Sequence, residues 1–142
     1  GLFVKAMQRW DQALQCEPEN PVLYELKAQA LMEMGEYDLA LEQASMAAKL
    51  GANWSDAHLT LGRVYFNIGD LDMARKCMEQ ALVLANAQSD VHGRPHGQNS
   101  SAMEITAELD EVVSLLELRQ QMQDAQDASM VATANKSPEE TQ

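Results

Sequence analysis

The sequence predicts an all-α fold of stacked antiparallel helix hairpins closed by a C-terminal capping helix, and three observations predict it. The chain matches itself when displaced by 34 residues: Ala6, Ala40 and Ala74 coincide, as do Ala13, Ala47 and Ala81. Gly1, Gly35 and Gly69 fall in the same register, so each glycine sits where one helix ends and the next begins. Apolar residues between these marks recur at helical rather than strand spacing.

Taken in order, Phe3, Ala6, Trp10 and Ala13 lie on one face of a first helix within residues 1–20. Asn20-Pro21 starts the next, with Asn20 as N-cap and Pro21 at the first helical position, where its missing N–H costs nothing. Leu23, Leu26, Ala30, Leu31 and Met34 carry that helix to Gly35, and Tyr37, Ala40, Leu41, Ala44, Ala47 and Ala48 carry its partner to Gly51. Ser55 is expected as the next N-cap, followed by Leu61, Gly62, Val64, Tyr65 and Ile68 to Gly69. Asp70 then caps a helix through Leu71, Ala74, Met78, Ala81, Leu82 and Leu84. A hairpin cannot bury its apolar stripe alone, so successive hairpins share one continuous core. Alanine recurs where helices cross closely, because only a small side chain admits a short interaxial distance.

These positions resemble the tetratricopeptide repeat (TPR). Residues 55–88 match at Leu61-Gly62, Tyr65, Gly69, Ala74 and Ala81, and residues 21–54 at Tyr24, Leu31, Gly35, Tyr37, Ala40 and Ala47. Residues 1–20 match only the second half of a unit, at Ala6, Trp10, Ala13 and Pro18. His58, Lys27, Ala52 and Asn86 depart from the pattern. The resemblance implies a TPR-type right-handed superhelix, with 1–20 as the second helix of a truncated unit whose first helix is encoded upstream. A narrower resemblance is carried by 8–15, 23–29, Trp54-Ser55 and Thr60-Leu61-Gly62-Arg63, to a small three-unit member of the family with no assigned enzymatic activity.

Residues 89–100 read as a Gly/Pro/polar linker. His92 and His96 stand four apart within it, but Gly93 and Pro95 oppose a helix and no third ligand is near, so no metal site is expected. Ser101 and Glu104 form a capping box that opens the capping helix, 101–124. Ala102, Ile105, Leu109, Val112, Val113 and Leu116 fall in one arc to cover the last hairpin, with Glu104, Glu108 and Glu111 on the far side. Leu115, Leu118 and Met122 form a second stripe, open to self-association or to the tail. Residues 125–142 are expected to be disordered.

The formal net charge is −12, which works against binding to phosphate backbones or anionic lipid. Cys16 and Cys77 belong to no metal or redox spacing and read as buried free thiols in a reducing compartment, cytoplasmic or nuclear. We find no Gly-rich phosphate loop, no metal-spaced cluster and no nucleophile with a plausible base, so neither a catalytic role nor a cofactor is expected.

Binding is expected instead. The family resemblance places a partner segment on the concave groove, facing Val22, Glu25, Gln29, Met32 and Glu33 in one unit and Asp56, Leu59, Arg63, Phe66 and Asn67 in the next. Some family members grip a C-terminal carboxylate with Lys, Arg and Asn; here the matching positions hold Glu25, Leu26, Asp56 and Thr60, with Arg63 the single base. The expected partner is therefore another protein presenting apolar anchors and basic residues. The alternatives are a docking domain of a larger enzyme or chaperone-associated protein, and a self-associating subunit.

Overall fold

The computed structural model describes residues 1–89 and 100–136. Among these it contains six helices and no strand: α1 (Leu2–Cys16), α2 (Pro21–Glu33), α3 (Tyr37–Leu50), α4 (Ser55–Ile68), α5 (Leu71–Ser89) and α6 (Ala102–Ala134). The all-α stack of hairpins is the observed architecture. The expected linker, with His92 and His96, lies outside the described residues from 90 to 99, as does the tail beyond 136.

Local chemistry sets most boundaries. Asn20 Oδ1 accepts from the Val22 N–H at 3.0 Å, so α2 starts where the sequence places it. Gly35 takes φ 76° and Gly69 φ 94°, the left-handed region that an L side chain enters only with strain. At Gly69 the reversal lets the Asp70 N–H reach the Tyr65 carbonyl at 3.0 Å, which satisfies one of the orphan carbonyls of α4. Asp70 Oδ1 accepts from the Met73 N–H, and the Ser101–Glu104 box is closed in both directions. Ser55 is the exception. It is the first residue of α4 rather than its cap, which falls at Trp54, and its buried hydroxyl donates to the Ala81 carbonyl of α5 at 2.9 Å.

The helices pack as α2 on α3 and α4 on α5, with α3 joined to α4 and α6 laid on α5. Ala28, Leu31, Ala40, Ala44 and Val64 form one core, and Leu59, Ala74, Met78, Ala81, Ile105 and Val112 the next. At the α4–α5 crossing, a Cβ on Gly62 would lie 2.8 Å from Met78 Cγ and 3.3 Å from the Ala74 carbonyl oxygen. Gly62 is therefore what lets these helices approach.

The ends differ from expectation in two ways. Helix α6 does not stop at 124; it continues to Ala134, and every residue of it from Glu117 to Ala134 is exposed. Its last turns are rich in Ala, Gln and Met, good helix formers, and Gln120–Asp124 and Gln123–Asp127 bonds span successive turns. Cys16 is exposed rather than buried, and Cys77 is half-buried.

Candidate functional site: the concave face

Helices α2, α4 and α6 share one side of the stack. Two adjoining hollows open there. One, of about 450 Å³, lies between Met32 and Glu33 of α2, Arg63, Phe66 and Asn67 of α4, Met78 of α5, and Glu108, Glu111 and Val112 of α6. The other, of about 490 Å³, is lined by Phe3 and Trp10 of α1, by Leu26, Gln29, Ala30, Met32 and Glu33 of α2, and by Arg63. Met32, Glu33 and Arg63 belong to both, so the hollows meet along the α2–α4 seam.

Five of the ten groove residues expected from the sequence line the first hollow together: Met32, Glu33, Arg63, Phe66 and Asn67. Gln29 lines the second hollow. Val22 is exposed but belongs to neither, and Asp56 is half-buried, accepting from the Ser100 N–H at 2.9 Å just before α6. Two expectations are corrected. Glu25 is buried, accepting from Thr60 Oγ1 across the α2–α4 interface at 2.8 Å and from the Gln29 amide, so its carboxylate ties two units together. Leu59 is 1% exposed, packed with Ile105 and Val112 beneath α6. Both lie at groove positions by register; α4 covers the first and α6 the second.

The sequence reading missed the contribution of α6. Glu108, expected on its solvent side, pairs with Arg63 through two bonds, Nε to Oε2 at 2.9 Å and Nη2 to Oε1 at 2.5 Å. That hydrogen-bonded pair, aided by the nearby Asp56 and Glu25 carboxylates, raises the Arg63 pKa further, against the opposing effect of burial. Both side chains are about a third exposed, 37% and 32%, so the pair adds little stability; its importance is that it occupies the groove's base. A signal was present: Glu108 lies between Ile105 and Val112 at i+3 and i+7 spacing, on the margin of the buried stripe.

The carboxylates Glu33, Glu108 and Glu111 thus face a single guanidinium, and the first hollow is acidic over a floor of Met32, Phe66, Met78 and Val112. Among the described residues there is no cluster of three or more His, Cys, Asp or Glu able to hold a metal ion, and no helix long and apolar enough to cross a membrane.

Tetratricopeptide-repeat family models match residues 55–87 and 10–42. The repeats are tetratricopeptide repeats. The first match coincides with α4 and most of α5, and the second runs from within α1 through α2 into α3. Tetratricopeptide repeat protein 33 of Danio rerio is 48% identical over 59 residues, 42% of this chain and 22% of that protein. Its Homo sapiens counterpart is 36% identical over 80 residues, 56% of this chain and 30% of that protein. The chain therefore spans less than a third of the length of either relative. Among solved structures, the first TPR of Spaghetti (RPAP3) bound to HSP90 peptide SRMEEVD is similar in fold, with TM-score 0.66, 22% identity and 82% of each chain covered.

Proposed function

We propose that this TPR chain is a non-catalytic protein-interaction module, an adaptor or scaffold that holds a peptide or helix of a partner protein on its concave face. The observation that carries the reading is the pair of hollows joined at Met32, Glu33 and Arg63, where apolar floor and charged rim lie together. A concave, partly apolar surface with a few convergent polar groups is the usual form of a segment-binding site. The partner segment carries apolar anchors and basic residues, as the acidic rim requires.

The HSP90 peptide held by the RPAP3 repeat supports peptide binding as a use of this fold. Its Glu-Glu-Val-Asp ending suits the present groove poorly, because Arg63 is already engaged by Glu108 and the remaining lining charges are carboxylates. Affinity capture with the intact protein tests the reading, comparing wild type with a Glu33→Lys, Asn67→Ala variant of unchanged melting temperature. Loss of specific partners is expected; an identical partner set would place binding elsewhere. A second reading, self-association, is favoured by the exposure of Leu115 (37%), Leu118 (51%) and Met122 (65%) on α6. Sedimentation as a monomer that Leu118→Lys leaves unchanged would remove it.

A further inference from the structure

We propose that the hollow between α2, α4 and α6 is a socket for one Lys or Arg side chain of the partner segment, flanked in that segment by apolar residues. This rests on the reading of the concave face as the partner surface and names what that face selects. The head group lies between Glu33 and Glu111, and the alkyl stem runs along Phe66 and Met32.

Charge identifies the occupant. Of the four ionisable groups on the hollow, Arg63 and Glu108 neutralise each other through two hydrogen bonds. Glu33 and Glu111, on the facing helices α2 and α6, have no ion-pair partner among the described residues. What remains for a ligand is a net of two carboxylates. An acidic segment entering the hollow is repelled by both, and a neutral apolar one leaves both to be desolvated without compensation.

The shape fits the same side chain. Long cationic residues bury their methylenes along apolar surface while holding the charge at a polar edge. Here the floor is Met32, Phe66, Met78 and Val112, and the carboxylates are on the rim. The aromatic ring of Phe66 adds attraction for a cation held near its face. Asn67 fixes the α4 wall by donating its amide to the Arg63 carbonyl at 2.8 Å. Helix α6 therefore does more than close the stack. Through Glu108 it withdraws the groove's base from the ligand, and through Glu111 it adds one of the two free acids.

A random peptide-display library selected on the full chain, and in parallel on a Glu33→Lys, Glu111→Lys double variant of matched melting temperature, tests the socket. Wild type is expected to enrich Lys or Arg between apolar residues, and the double variant Asp or Glu at the same place. A synthetic peptide of the wild-type consensus should bind the double variant about tenfold more weakly at low salt, and its own Lys→Glu version should lose at least as much. Binders whose amide NMR footprint covers Met32 and Phe66 but which need no basic residue would overturn the socket and leave the concave-face reading standing. Enrichment only of peptides that bind outside α2, α4 and α6, or no enrichment, would overturn both.

Discussion

Residues 34 positions apart meet quite different surroundings at the start of this chain and in its middle. Ala40, Ala44 and Ala47 of α3, and Ala74, Met78 and Ala81 of α5, are at most 2% exposed. Their counterparts Ala6, Trp10 and Ala13 on α1 are only partly buried, and α1 has no buried residue at all. Each of α3 and α5 is paired with the helix before it and covered by the helix after its hairpin, while α1 rests mainly on α2. The two ends of α6 repeat the lesson within one helix. Ile105 and Val112 are sealed against α5, and every residue from Glu117 to Ala134 is open. The repeat register encodes which face is apolar; neighbours decide whether that face is buried, and burial is what stabilises.

The largest effect that sharpens this contrast comes from truncating sealed side chains. Leu59→Ala and Ile105→Ala should each cost about 2–5 kcal/mol in urea unfolding, while Leu118→Ala stays within about 0.5 kcal/mol. Similar losses at all three would break the comparison. Overpacking tests the repeat directly: Ala40→Leu should cost about 1–3 kcal/mol, and Ala6→Leu, at the equivalent but only partly buried site in α1, close to nothing. A smaller change is expected from Ser55→Ala. It removes the buried bond to Ala81 and should lower stability by about 1 kcal/mol, without the helix fraying at α4 that loss of a cap would give in amide exchange.

The smallest effect is chemical. Burial, helped by the Asp70 charge, raises the Cys77 pKa, so at mildly alkaline pH it holds less thiolate than an ordinary thiol. Cys16 is exposed, so iodoacetamide should label it first, with mass spectrometry following both sites. The raised Cys77 pKa also means that its contribution to stability is complete below the thiol's unfolded value and declines as pH rises above it. Equal labelling rates would contradict the placement of Cys77.

What was legible in the sequence was local. The glycine reversals, the Asn20 and Asp70 caps and the Ser101–Glu104 box each depend on residues within a few positions of one another, and the structure contains all of them. The buried arc of α6 was equally readable, because helical spacing alone defines it. What escaped joins residues far apart in the chain: Ser55 to Ala81, Glu25 to Thr60, Arg63 to Glu108. Ser55 looked like a cap because serine before an apolar run usually is one, and the distant Ala81 carbonyl took its hydroxyl instead. Glu25 and Leu59 occupy groove positions by register, but the register does not say which helix covers them. The length of α6 escaped as well: residues 125–134, expected to be disordered, are helical, because helix propensity there outweighs the lack of an apolar face.

The most direct test of the central claim, that the concave face receives the partner, is an amide NMR titration of the chain with a bound partner segment. The account predicts shifts concentrated at Met32, Glu33, Arg63, Phe66, Asn67 and Glu111. Shifts concentrated instead at Leu39, Met46 and Val83, exposed apolar residues of α3 and α5 outside both hollows, would contradict it.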